Sequence, residues 1–326
     1  MSISTSLISV RKSPAGSFGE WVLRGVGQVF LQNNPLSGVL FLIAIFISNW
    51  FAGMDALVGT IAATAVALLL GVSKEEVSQG LYGFNGTLVA VALTFFLPDD
   101  WKLIGYVVLA AAASTVLTAA LHNLLHTNQV PGLTAAFIAT IWLFIAGVRQ
   151  FGHLTLPAAA LEPHLPTTVT GGSGAVHPVD LLTGFFNAFA EVFLQSGVLS
   201  GVLILIGLLI NSRISAVAAA VGSLVGFCTA WMFGLPAEFL GSGLAGYNPV
   251  LVVIAIGGVF YVVTIRSAIL AVVAGIVSVI IFAALMTLLA PLGLPVATAP
   301  FVLTTWACLF AANSLTALRR PEVTTD

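Results

Sequence analysis

The sequence predicts an all-α polytopic membrane protein. It is expected to comprise two inverted repeats, each of five transmembrane helices plus one re-entrant half-helix, with a central pore at the repeat interface. Three observations predict this: the composition, the siding of charge along the apolar segments, and an internal duplication. Of 326 residues, 59% are apolar and only 7% charged, whereas soluble domains carry about 25% charged residues. The mean hydropathy is +1.11. A soluble globule of this make-up would have little polar surface to present to water, which excludes an ordinary cytosolic enzyme. The net charge of −2 supplies no basic field for phosphates, so no nucleic acid is expected as partner. Cys228 and Cys308 both lie in apolar stretches and form neither a disulfide framework nor a metal cluster. No cofactor is expected.

A helix needs about 20 apolar residues to cross a bilayer. The first half offers such segments near 36–54, 56–71, 83–98, 103–121 and 131–148. The second offers 199–212, 214–233, 246–262, 266–289 and 297–317. Breakers such as Pro98-Asp99-Asp100 and Pro291-Leu292-Gly293 separate them. The stretch 150–180 holds Pro157, Pro163, Pro166, Pro178 and the run Gly171-Gly172-Ser173-Gly174, and reads as a linker. With a cytoplasmic N-terminus, Arg11, Lys12, Arg24, Lys74, Arg213, Arg266, Arg319 and Arg320 fall on the inner side. Only Lys102 and Arg149 fall outside, the asymmetry that positive charge imposes on topology. The expected organisation is a cytoplasmic tail (1–17), a first repeat (18–149), an external linker (150–180), a second repeat (181–318) and a cytoplasmic tail (319–326).

The duplication appears at an offset of 163–164 residues. VFLQNNPLSGVLFLIAIFI from Val29 aligns with VFLQSGVLSGVLILIGLLI from Val192, with 12 of 19 positions identical. GLYGFNGTLVAVAL from Gly80 aligns with GLAGYNPVLVVIAI from Gly243, and VPGLTAAFIATIW from Val130 with LPVATAPFVLTTW from Leu294. An odd number of spans per copy makes the second enter from the opposite side. Inverted repeats are a transporter and channel architecture with the solute site near the midplane. The segments Phe18–Gln32 and Leu181–Gln195 precede the first span of each copy. They are short and interrupted, and read as re-entrant half-helices, which point to the site.

Matched polar residues then fall at matched depths. Gln28 pairs with Glu191, Thr134 with Thr298, Asn85 with Asn248, and Phe84 with Tyr247. The half-helix tips would aim carbonyls without intrahelical partners inward. Pro131 and Pro295 would loosen the backbone just before the two threonines. An isolated Thr in a membrane helix usually bonds its own backbone or a neighbour; the repeated Pro-x-x-Thr favours a pore role. Glu191 is an intramembrane carboxylate, a functional candidate by type. A narrow, nearly uncharged conduit with rows of acceptors suits a small neutral solute rich in N–H donors.

These segments resemble the urea transporter family over nearly the whole chain. The signature Leu-Pro-x-x-Thr-x-Pro-Phe stands complete at Leu294-Pro295-Val296-Ala297-Thr298-Ala299-Pro300-Phe301. It recurs loosely at Val130-Pro131-Gly132-Leu133-Thr134-Ala135-Ala136-Phe137. Gln32-Asn33-Asn34-Pro35-Leu36-Ser37-Gly38, Gly80-Leu81-Tyr82-Gly83-Phe84-Asn85 and Ala255-Ile256-Gly257-Gly258-Val259-Phe260 are also similar to it. The resemblance implies a homotrimer in the lipid bilayer, with one pore per protomer passing urea passively. It implies that Gln28 and Glu191 orient amide groups and that Thr134 and Thr298 mark the constriction. Val29, Val192, Leu88 and Leu251 would form its apolar walls, and Phe84 and Tyr247 would flank the two outer sites. Leu31 and Leu194 stand three residues after Gln28 and Glu191, where the family leads one to expect an aromatic at the first. Gly197-Val198 replaces the Asn-Pro found after the first half-helix. The expected location is a bacterial inner membrane with both termini cytoplasmic.

Three rivals follow from other residues. An ammonium channel would be expected to carry pore histidines, whereas all five here fall in predicted loops. A proton-coupled transporter would use Glu191. A hydrolase built on Ser223 would lack a histidine base in any span. His122 and His126, four residues apart, could ligate a metal only with a third ligand. Gly241-x-Gly243-x-x-Gly246 matches a dinucleotide fingerprint in letters but follows no strand.

Overall fold

The computed structural model describes residues 17–98, 101–154, 161–168 and 176–321. The terminal tails up to residue 16 and beyond 321, the pair Asp99-Asp100, and linker residues 155–160 and 169–175 lie outside the described residues. Pro157 and the glycine run 171–174 belong to the last two stretches.

All regular structure among the described residues is helical, and its α-helices fall into two sets of seven, with three short 3₁₀ turns and a π-helical segment, Ala255–Val259, between them. The first set is α1 (Phe18–Gln28), α2 (Pro35–Ser48), α3 (Trp50–Leu69), α4 (Lys74–Ser78), α5 (Gly83–Phe96), α6 (Trp101–Leu125) and α7 (Ala135–Val148). The second is α8 (Pro178–Ala190), α9 (Val198–Asn211), α10 (Arg213–Met232), α11 (Ala237–Gly241), α12 (Tyr247–Ile254), α13 (Ile265–Leu289) and α14 (Ala299–Phe310). Each element stands at the repeat offset from its counterpart, so the duplication of sequence is a duplication of fold.

Local chemistry sets the breaks. Asn34 caps α2, its Oδ1 accepting from Leu36 N at 2.8 Å, with Pro35 in the first turn, where a missing N–H costs nothing. Asn49 caps α3 through Ala52 N at 3.2 Å. The first predicted boundary, at residue 55, is therefore corrected to Asn49. Asp55 lies inside α3, where Thr94 Oγ1 donates to it at 2.7 Å. In the second copy Ser212 does the work of Asn49, accepting from Ser215 N at 3.1 Å. The short helices α4 and α11 are additions to the expected plan, and α8 begins at Pro178, inside the expected linker.

The ten expected spans differ in length. Four helices, α3, α6, α10 and α13, are long and apolar enough to cross a membrane alone; α8 with its following turn and α9 make a fifth candidate if the bent pair, at 72°, is one span. Like α2, α5 and α12, which fall short of the expected spans 36–54, 83–98 and 246–262, α7 and α14, at 14 and 12 residues, are too short to cross alone, which corrects the expected continuous helices over 131–148 and 297–317. Each is preceded by a non-helical run of six residues, 129–134 and 293–298. Helix and run together reach about 40 Å at most, at 1.5 Å per helical and 3.3 Å per extended residue, which exceeds a hydrocarbon core of about 30 Å.

The α1–α2 and α8–α9 pairs pack at near-backbone contact. A Cβ at Gly38 would collide with the Leu23 carbonyl, and one at Gly201 with that of Phe186. The centre holds a buried ring cluster of Phe30, Phe41 and Phe193, with centroids 5.1–6.0 Å apart.

Candidate functional site

The two half-helices end in the protein interior. Val29, Phe30, Val192 and Phe193 are at most 2% exposed. The expected rows of free tip carbonyls are largely absent, because each tip closes on itself. Leu31 and Leu194 take the left-handed backbone, with φ of 60° and 52°. Gln32 N then reaches Gly27 O, and Gln195 N reaches Ala190 O, both at 3.1 Å. This is the backbone closure that usually recruits glycine. The glutamine side chains donate back to Phe30 O at 2.7 Å and Phe193 O at 3.0 Å. Leu31 and Leu194 thus make the turn itself.

Thr134 and Thr298 meet. Their hydroxyls are 2.6 Å apart, and the residues are 2% and 3% exposed. Each is the N-cap of its helix, yet neither side chain caps it. The cap comes from a neighbour instead. Asn85 Oδ1 accepts from Phe137 N at 3.2 Å, and Asn248 Oδ1 accepts from Phe301 N at 3.0 Å. A cap delivered from α5 or α12 satisfies an orphan amide of the first turn. It leaves each threonine hydroxyl free to face the other copy.

Further contacts between the copies are reciprocal. Trp142 Nε1 donates to Pro295 O at 2.8 Å, and Trp306 Nε1 to Pro131 O at 2.9 Å. Ser37 Oγ donates to Gly207 O at 2.7 Å, and Ser200 Oγ to Ala44 O at 2.9 Å. Phe30 touches Phe193, its own counterpart, at 5.7 Å between centroids. Residue i meeting j′ while i′ meets j is the mark of an isologous, two-fold contact. The tryptophans were not among the expected site residues, although they close the third pair of aligned segments and so were visible as a matched pair.

A cavity of about 850 Å³ opens on one side of the threonine pair. Of the expected residues, Glu191, Val192, Leu194, Tyr247 and Thr298 line it. The lining is largely aromatic and aliphatic, with Phe96, Phe137, Phe239 and Phe282, and includes linker residues Leu161, Glu162, His164 and Pro166 to Thr168. Gln28, Val29, Leu31, Phe84, Leu88, Thr134 and Leu251 do not line it. Leu88 and Leu251 are fully buried, as apolar walls beside a closed constriction would be. Gln28 points elsewhere, its Nε2 donating to Gln79 O at 2.8 Å. Tyr247 donates its hydroxyl to Ala297 O at 2.6 Å, whereas Phe84 has no such group to offer Leu133.

His122 and His126 lie 5.8 Å apart by ring centroid, with Glu76 3.7 Å from His122. No group of three such side chains among the described residues is placed to hold a metal.

The sequence pattern described as "Urea transporter" matches residues 19–313. The chain belongs to the urea transporter family. It is similar to proteins named urea transporter 1: 28% identical over 301 residues to that of Ovis aries, covering 90% of this chain and 77% of the relative. The Capra hircus protein matches at the same identity and coverage. The Rattus norvegicus protein is 28% identical over 293 residues, covering 88% and 75%. Together with the apolar helices, family membership makes this an integral membrane protein. Within the family frame, the paired threonines at the end of the cavity are the natural place to look for the solute path.

Proposed function

We propose that the chain conducts urea, and small amides of like shape, passively down their gradient through a slot between its two halves. The observation that carries this reading is the contact of Thr134 with Thr298, a residue against its own repeat copy at the foot of an open cavity. Phe30 against Phe193 is a second such contact, and the reciprocal bonds of Trp142 with Trp306 and of Ser37 with Ser200 support a two-fold relation between the copies. On the expected odd number of crossings in each half, such an axis would lie in the membrane plane, the inverted arrangement of transporters and channels.

The slot is closed here by one hydroxyl–hydroxyl bond. Urea carries N–H donors and a carbonyl acceptor, so it can take the place of each threonine's partner. Exchanging one neutral hydrogen bond for another costs on the order of 1 kcal/mol or less. Conduction requires this balance, with binding strong enough to enter and weak enough to leave. Leu88, Leu251, Val29 and Val192 exclude water around the exchange. Glu191 opens to the cavity and orients the amide groups there, Gln28 holds the matching place on the other half-helix against Gln79 O, and Phe84 and Tyr247 flank the approaches. Each protomer of a trimer carries its own slot, with both termini on the cytoplasmic face of a bacterial inner membrane.

A second reading has a specific observation behind it. Glu191 opens to the cavity and no hydrogen bond to its side chain is formed among the described residues, so it could carry a proton with the solute. Stopped-flow urea entry into proteoliposomes, with and without a pH gradient, separates the two. The passive reading expects entry faster than in empty liposomes and indifferent to the gradient. Entry that follows the gradient supports coupling, and entry no faster than in empty liposomes sinks both.

A further inference from the structure

We propose that Arg149 and Arg320 are positioning residues that fix the bore of the threonine constriction, each from the opposite half of the molecule. The inference rests on the conduction reading above and deepens it.

Arg149 follows α7. Its Nη1 donates to Leu292 O at 2.6 Å, and its Nη2 to Gly293 O at 2.6 Å and Leu161 O at 2.7 Å. Leu292 and Gly293 end the turn after α13, a helix of the other half. Arg320 follows α14. Its Nη1 donates to Gln129 O at 3.2 Å and its Nη2 to Leu309 O at 2.8 Å. Gln129 ends the turn after α6 in the first half. Gln129 and Gly293 are counterparts at the repeat offset, and both hold the left-handed backbone, with φ of 52° and 57°. A guanidinium therefore sits on the turn that follows α6 and on the turn that follows α13.

Five residues after Gly293 and after Gln129 comes the threonine. The run 293–298 is held by α7 and its flanks at three points: Gly293 by Arg149, Pro295 by Trp142, and Thr298 by Thr134. The run 129–134 is held likewise by Arg320, Trp306 and Thr298. Six residues span at most about 20 Å and α7 is about 21 Å long, so the run lies along the helix from its C-terminal end to its N-terminal end. Arg149 and Arg320 are anchors at the far ends of these runs. Neither lines the cavity, although Leu161 and Gly293, which Arg149 holds, both do. Releasing an anchor lets the run slide and moves its threonine, which alters the width of the slot rather than its chemistry. The two arginines are not counterparts, since offset 164 from Arg149 gives Asn313. The same brace is made twice by different stretches of chain.

Two readouts test this on the full-length protein in proteoliposomes, both normalised to folded protein. The first is the ratio of urea to 1,3-dimethylurea entry in Arg149→Ala, Arg320→Ala and Arg149→Lys. A purely structural role lowers both rates together and leaves the ratio unchanged. A positioning role lowers the ratio, by about tenfold, since displacement near 1 Å at a fitted site has effects of that order or larger. Arg149→Lys keeps the charge but not the fork that reaches three carbonyls, so it is expected to stay close to Arg149→Ala. Full recovery by lysine, or an unchanged ratio in the alanine variants, overturns the proposal. The second readout does not involve urea. In a Cys228→Ser, Cys308→Ser background, T134C and T298C are oxidised with copper–phenanthroline and disulfide formation is timed. The proposal expects rapid bridging with both arginines present and about tenfold slower bridging with either removed, because a disulfide tolerates little change in Cβ separation. Equal rates overturn it. Should Arg149→Ala not fold, Arg149→Gln carries the same measurements. If the unsubstituted chain conducts no urea, the conduction reading fails, and the bridging rates still decide whether the arginines hold the threonines together.

Discussion

Gln28 and Glu191 occupy the same turn of the same element, yet their surroundings are opposite. Gln28 is 5% exposed and tied to Gln79 O. Glu191 opens onto a cavity of about 850 Å³. The tips beyond them barely differ: the left-handed leucine, the closing glutamine and the central phenylalanine recur in both. The copies differ again where the helix after each half-helix begins. Asn34 caps α2 with its side chain, whereas its counterpart Gly197, at φ 118°, offers α9 none and instead donates its N–H to Asn187 Oδ1 at 2.9 Å. Residues on the axis must satisfy both copies at once and so stay alike. Residues away from it answer only to their own side of the molecule and are free to specialise.

Substitutions that exchange the character of the copies sharpen this contrast, and the largest effect is expected at the half-helix tips. Gln28→Glu removes the donor to Gln79 O and sets a buried carboxylate against a carbonyl. It is expected to cost about 3 kcal/mol, the scale for stranding a buried charged group, and thermal melting in detergent measures it. Glu191→Gln, the reverse exchange, keeps the side chain's size at the cavity wall and is expected to change the unfolding free energy by less than about 1 kcal/mol while shifting the urea concentration at half-maximal flux. Equal stability losses at the two sites would erase the contrast.

The delivered caps come next. Asn85→Ala and Asn248→Ala each strand a first-turn amide and should cost about 1–2 kcal/mol. The loss at Asn85 is expected to be the larger, because its Nδ2 also donates to Thr118 at 3.0 Å, whereas Asn248 Nδ2 reaches Ala297 O only at 3.4 Å. Chemical denaturation of the pair decides the order. A smaller effect than that of the caps belongs to Tyr247→Phe, which makes the second copy match Phe84. Losing one hydrogen bond to Ala297 O should cost about 1 kcal/mol and free a carbonyl near the slot. A cost as large as that of Asn85→Ala would mean that the copies are not interchangeable at this point.

Much of this was legible in the residues because a duplication carries its own control. The offset paired Gln28 with Glu191 and Thr134 with Thr298 before any contact was visible, and it also paired Trp142 with Trp306, whose role was passed over. Other features left no such trace. The left-handed positions Leu31, Leu133, Leu194 and Ala297 are not glycines, so the usual mark of that backbone is missing. Asp55 looked like a helix break because a carboxylate in an apolar run reads as solvent-facing, and the hydrogen bond from Thr94 that keeps it inside α3 is tertiary. The shortness of α7 and α14 was hidden because an apolar non-helical run, when braced by a neighbouring helix, has the composition of a span. Arg320 has no partner at the repeat offset, so only the fold connects it with Arg149.

The central claim is that solute passes where the two halves meet at Thr134 and Thr298. Stopped-flow urea entry into proteoliposomes bearing Thr134→Trp or Thr298→Trp, normalised to folded protein, tests it most directly. The account predicts that either indole fills the slot and drops entry to the rate of empty liposomes, while melting still shows a folded protein. Urea entry at the unsubstituted rate through a folded tryptophan variant would contradict it.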